Sequence, residues 1–175
     1  FSEEDADAVM DQAREFGASF VVAGEAGYPP LLYHISGAPP LLCVKGNLAL
    51  AELQCVAIVG ARSASAGGRK FARQLSADLS EEGFLVVSGL ARGIDTAAHE
   101  AAAQGRTAAV IAGGIDNIHP PENAELQRSI GEKGLLLTEM LPGSVPRAEH
   151  FPRRNRIISG MSRAIIVVEA ALRSG

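Results

Sequence analysis

From Cys55 onward, short apolar runs alternate with longer segments of helical periodicity. The runs are CVAIVG (55–60), FLVVSG (84–89), TAAVIAGG (107–114), LLLTE (135–139) and AIIVVEA (164–170). Unbroken apolarity over four to six positions, without alternation, predicts strands covered on both faces. Between them lie GRKFARQLSADLSEEG (68–83), with Phe71, Leu75 and Leu79 at helical spacing, then IDTAAHEAAAQG (94–105) and PENAELQRSIGEKG (121–134), each ending in glycine. RNRIISGMS (154–162) predicts a fourth, short helix. Strands and helices alternating at this interval imply βαβ units, whose right-handed crossovers place helices on both faces of a parallel sheet. The expected fold is therefore α/β, an extended Rossmann-like, doubly wound and mostly parallel sheet.

The first quarter of the chain reads differently. Ser2 followed by Glu3, Glu4 and Asp5 has the form of a capped helix start, and Gly17 its stop. SFVVAG (19–24) predicts a short strand, and residues 25–47, with four prolines, a loop-rich lead-in holding one strand near LLCVK. The division expected is an N-terminal helix over 1–17 and the main domain over 18–175.

A length of 175 residues and 47% apolar composition suit one folded domain. No apolar run is long enough to cross a bilayer, and the acidic start resembles neither a secretory nor a transit peptide. It lacks an initiator methionine, as expected of a piece of something longer. Cys43 and Cys55 sit in apolar segments without metal-binding spacing, so buried reduced thiols and a cytoplasmic setting are expected. The net charge of −4 exerts no general pull on nucleic acid. It conceals a segregation, however: acids crowd the first helix, while Arg147, Arg153, Arg154, Arg156 and Arg163 crowd the last quarter.

Ligands of an open α/β sheet bind beyond the carboxyl ends of its strands. Four such ends are expected on one rim: GARSASAGG, SGLARGID, GGIDNIHPPEN and EMLPGSVPRAEHFPRRNR. In the first, Gly60 and the serines precede a helix N-terminus able to meet a phosphate. Ala61 and Arg62 stand where a dinucleotide fold needs bare backbone, and the second strand ends in Ser88 and Gly89 instead of a ribose-binding acid. NAD and ATP are thus disfavoured, leaving Arg62 and Ser63 to face an anion or solvent. Arg92 lies between glycines, of which Gly93 and Gly89 permit positive φ. Asp95 is expected to cap the following helix, with His99 hydrogen-bonded one turn on; a metal pair lacks a third ligand. Gly113 and Gly114 suit either a ligand loop or a tight turn, and Glu122 and Asn123 a first helical turn. Glu139 and Glu169, at strand ends, are expected to cap helices or pair with rim arginines.

The segment HFPRRNR reads as a loop with two possible uses. Its guanidinium groups beside Phe151 could form a phosphate track with an aromatic platform, as in sequence-tolerant single-strand binders. Alternatively, Phe151 anchors the loop while the arginines pair with Glu139, Glu149 or Glu169.

Taken in order, VAIVGAR, SGLARGIDTAAHEAA, GGIDNIHPPENAEL, LLLTEMLPG and FPRRNRIISGMS followed by VVEA closely resemble the DNA-processing protein A (DprA/Smf) family, from about Ala26 onward. The resemblance implies a non-catalytic, cofactor-free protein of natural transformation. Such a protein binds single-stranded DNA, protects the incoming strand and helps load RecA recombinase onto it. By motif, Arg62, Ser63, Arg92, Arg147, Arg153, Arg154, Asn155 and Arg156 would contact DNA and Phe151 would pack on a base. His119 and Pro121 depart from a tyrosine and a basic residue often found in that turn. The resemblance also implies a homodimer formed through a segment beyond Gly175, and an N-terminal helix that is the remnant of a helical domain. The competing reading is a nucleotide phosphoribohydrolase of the related Rossmann-like class, whose P-G-G-x-G-T-x-x-E signature is not matched by AGGIDNIHP.

Overall fold

The computed structural model describes residues 2–170; the outermost positions of both expected domains, Phe1 and 171–175, lie outside them. The chain forms α1 (Glu3–Glu15), β1 (Ala18–Val22), β2 (Leu41–Gly46), β3 (Cys55–Gly60), α2 (Ala66–Glu81), β4 (Leu85–Ser88), α3 (Ile94–Ala101), β5 (Thr107–Val110), α4 (Ala124–Lys133), β6 (Leu135–Thr138), α5 (His150–Met161) and β7 (Ala164–Val168). One mixed sheet runs in the order β1-β2-β6-β5-β4-β3-β7. The five strands read from the apolar runs are mutually parallel, as expected. The lead-in strands extend this sheet: β2 pairs antiparallel with β6, and β1 antiparallel with β2.

Side-chain alternation within the strands divides the core into two layers. On one face, Leu85, Val87, Ala108, Val110, Leu135 and Leu137 meet Ile157, Ile158 and Met161 of α5 and Leu32 of the lead-in. On the other, Ala109, Ile111 and Leu136 meet Ala13 of α1 and Ile130 of α4, while Ile58 and Val86 meet Ala72, Ile94 and Ala97 of α2 and α3. Four helices thus cover one face and α5 with the lead-in covers the other, a doubly wound arrangement.

The helix α2 forms where its periodicity predicts it, and one helix boundary needs correction. In α2 the buried stripe is Gly68, Ala72, Ser76 and Ser80, with Leu75 and Leu79 only partly covered and Phe71 56% exposed. These small residues let α3 approach closely, and Ser76 Oγ donates to Ala98 O at 2.6 Å. The correction concerns α5, which begins at His150 rather than at Arg154, so that all of HFPRRNR is helical. Pro152 does not prevent this, because a proline in the first turn forfeits only an amide that has no intrahelical acceptor.

At the amino end of β5, Thr107 Oγ1 donates to Val86 O at 3.1 Å and lies 2.6 Å from His99 Nδ1. A hydroxyl proton already given to a carbonyl leaves Oγ1 as acceptor, so His99 carries its proton on Nδ1. Burial, reinforced by the positive charge of Arg154, pulls His99 down to about 3. Its ordinary value is 6.5, so between these values the unfolded chain binds the extra proton. Stability is accordingly full above pH 6.5 and falls as the pH drops towards 3. In urea titrations from pH 7 to 4.5, wild type is expected to lose more stability than His99→Gln; parallel losses would contradict the assignment. At the end of β3, a Cβ on Gly60 would collide with the Val168 carbonyl and crowd Ile94. Gly60→Ala is therefore expected to cost about 1–3 kcal/mol in the same assay, and an unchanged urea midpoint would show that the turn can yield.

Candidate functional site

The carboxyl ends of β3, β4 and β5 and the first turn of α5 enclose a cleft of about 200 Å³. Arg62 contributes from the β3 end, Gly89 to Arg92 from the β4 end, and Ile111, Ala112 and His119 to Glu122 from the β5 end; Phe151 and Arg154 close it from α5. Segments far apart in sequence therefore share one rim. The cleft is smaller than the roughly 300–1,000 Å³ typical of small-molecule sites, so it suits one protruding group of a larger ligand better than a buried cofactor.

Its aromatic wall is Phe151, whose ring lies 5.6 Å from the His119 ring, tilted by 55°. The Arg62 guanidinium sits 5.7 Å from the Phe151 centroid and that of Arg154 6.0 Å. Guanidinium groups at such distances are attracted to the ring face. His119, noted in the sequence only as a departure from a motif, is thus part of the wall; its contact with a residue 32 positions on had no local signal.

The arginines divide into distinct classes. Arg62 is exposed and, like exposed Arg147, makes no ion pair among the described residues. Arg92 is 3.5 Å from Glu122, both side chains being largely exposed. Such a pair is worth only about 0–1 kcal/mol and opens readily. Arg153 and Arg156 both pair with Glu139, whose side chain is 7% exposed: Arg153 Nε lies 3.1 Å from Oε1, and Arg156 Nη2 meets Oε2. Arginine pairing with Glu139 was one of the two sequence readings.

Arg154 corrects the other. Expected to face a phosphate backbone, it is buried, and its Nη1 donates to the carbonyls of Gly89 and Val110 at the ends of β4 and β5. Its Nε donates to Asn155 Oδ1 at 3.1 Å. The reason is the helix: starting α5 at His150 turns position 154 inward with Ile157, Ile158 and Met161. Burial lowers Arg154 to about 10, against the restoring charge of Asp95, so it stays ionised at neutral pH.

Asp95 likewise does other than expected. It does not cap α3, whose N-cap is Gly93 without a side-chain bond. Its carboxylate accepts from Gly89 N at 3.1 Å and Ala91 N at 3.3 Å, closing the preceding turn. Burial pushes its carboxyl above the ordinary range, while Arg154 and the two amides pull it back. Asn123 serves the same turn, its Nδ2 donating to Leu90 O at 2.9 Å and Thr96 Oγ1 at 2.9 Å.

Gly113 and Gly114 pack against the β6–α5 connection, where Cβ atoms would meet Pro146 and the Leu141 carbonyl. Asp116 fastens the same connection by accepting from Gly143 N at 2.9 Å and 3.0 Å. These two glycines therefore make a close turn. At the strand-order reversal between β3 and β7, Glu169 accepts from Ser65 N at 2.8 Å and from the Ser65 hydroxyl. The serine's donors hold its carboxyl below the usual range. A carboxylate from the chain itself thus sits at the N-terminus of α2, where a dinucleotide fold places pyrophosphate. Among the described residues no group of three or more His, Cys, Asp or Glu side chains is placed to hold a metal ion, and no helix is long and apolar enough to cross a membrane.

Residues 19–175 match the model of the DNA recombination-mediator protein A family. The chain is 49% identical over 150 residues to the DNA processing protein DprA of Streptococcus pneumoniae, covering 85% of this chain and 53% of the relative. It is 39% identical over 170 residues to that of Bacillus subtilis, covering 95% and 57%. The chain thus spans about half the length of these curated relatives. The X-ray structure of the S. pneumoniae protein superposes with a TM-score of 0.89 at 41% identity, over 99% of this chain and 60% of that one. A Helicobacter pylori DNA processing protein A, described for its single-stranded DNA binding mode, superposes with a TM-score of 0.82 at 27% identity, over 89% and 71%. On the match of its sequence and its sheet, this chain belongs to the DNA recombination-mediator protein A family.

Proposed function

We propose that this chain is a non-catalytic module that binds single-stranded DNA in the cytoplasm during natural transformation, shields the incoming strand and helps load RecA recombinase onto it. The observation that carries the binding is the cleft at the carboxyl rim, where an aromatic wall stands beside exposed guanidinium groups. A base turned out of a flexible strand stacks on Phe151 with His119 at its edge, and flanking phosphates meet Arg62, Ser63, Arg92 and Arg147. Arg153, Asn155 and Arg156 border the path, the two arginines by exchanging Glu139 for phosphate. Stacking on an aromatic face tolerates any base, and backbone charge is the same at every nucleotide, so weak sequence preference follows. Unpaired bases are what the cleft admits, which favours single over double strands.

The H. pylori relative supports the choice of ligand, and the family description supports the role of mediator. Glu169 at the α2 N-terminus argues against a nucleotide cofactor there, because its charge repels a pyrophosphate.

Fluorescence anisotropy with labelled single- and double-stranded oligonucleotides across a salt series tests this. The logarithm of affinity for the single strand is expected to fall linearly with the logarithm of salt. Arg62→Ala should reduce that slope by about one, with the duplex bound more weakly throughout. An unchanged slope would remove Arg62 from the interface. Release of free base from a nucleoside monophosphate would overturn the non-catalytic reading.

A further inference from the structure

A second wall of the cleft is the turn Gly89–Ala91, and its backbone is unusual. Leu90, fully buried and not a glycine, has φ +57°. A branched side chain in the left-handed region persists only where its surroundings over-determine it, and such positions gather at ligand clamps. Three buried side chains do so here. Asp95 accepts the amides on either side of Leu90, Asn123 donates to its carbonyl, and Arg154 donates to the carbonyl of Gly89. A Cβ at Gly89 would run into the Arg154 guanidinium, so this approach requires glycine.

Arg154 also comes from the helix that carries Phe151, and its second carbonyl acceptor, Val110, ends β5. One guanidinium therefore ties both walls of the cleft to the sheet. We propose that Arg154 and Asp95 are a pair of positioning residues: together they hold the Gly89–Ala91 turn at a set separation from Phe151, and Arg154 promotes DNA binding by geometry instead of by neutralising a phosphate. This rests on the single-strand reading above and deepens it. It separates the arginines of one short motif into a contact class and a scaffolding class. Three of the five N–H bonds of Arg154 are committed to protein oxygens, as scaffolding demands.

The test is anisotropy with a labelled single-stranded oligonucleotide over a salt series, paired with thermal melts, for wild type, Arg154→Gln, and Asp95→Asn combined with Arg154→Gln. Losing hydrogen bonds made by a charged donor is expected to weaken binding by roughly tenfold or more, while the salt slope stays that of wild type. The double variant also removes the buried negative charge that the single one deprives of its neighbouring cation, so its melting temperature should recover while its affinity does not. A slope lowered by about one in Arg154→Gln would make Arg154 a phosphate contact and overturn the proposal. Affinity that recovers with melting temperature would reduce the pair to a purely structural role and also overturn it. Failure of wild type to bind the oligonucleotide at any salt would instead refute the underlying reading.

Discussion

A single buried cation ties the candidate site together. Arg154 leaves α5, passes into the core and ends between two strand-end carbonyls, with the Asp95 charge acting on it. An ion in that position is expensive unless its hydrogen bonds are met, so the strand ends and the helix must keep a common geometry. The rest of the rim inherits this constraint. Phe151 is one turn before Arg154 on the same helix, and the Gly89–Ala91 turn is held by the same group. The cleft exists because two walls on different elements share one internal donor.

The electrostatics of the rim follow a graded pattern. Arg62 rests on an aromatic face, Arg92 on an exposed acid, and Arg153 and Arg156 on a nearly buried one. Charge available to a polyanion therefore declines from the cleft mouth towards Glu139. An acidic chain can in this way present a confined cationic track without becoming generally adhesive to nucleic acid. Confinement also matches a ligand met one nucleotide at a time, since a single small cleft accepts one base while phosphates pass over its edges.

Much of this was legible in the sequence. Continuous apolar runs identified the five parallel strands, and their ends located the rim; coverage on both faces holds for β3 to β6, whereas β7, with the same pattern, lies at the sheet edge with Ile165 and Val167 exposed. The antiparallel attachment of β2 to β6 was not legible: it is a pairing across some ninety residues, settled by which sheet edge was free. The local structure of HFPRRNR, and with it the placing of Arg154, was the main misreading. Proline and clustered charge read as loop, yet a first-turn proline is compatible with a helix, and helical phase then sends position 154 into the core while leaving 153 outside. Asp95 misled similarly: a carboxylate at a helix start reads as a cap until the chain before it folds back to offer its own amides. His119 had no local cue, as its role depends on a neighbour brought over by tertiary structure.

The central claim is that a single strand lies across this rim with a base against Phe151. Photocrosslinking an oligonucleotide that carries one iodouracil, followed by peptide mapping, tests it most directly. The account predicts that the crosslink falls on the tryptic peptide from Ala148 to Arg153, which contains Phe151, and is lost with Phe151→Ala. Crosslinks confined to α1, or to the opposite end of the sheet around Glu52 and Phe84, would contradict it.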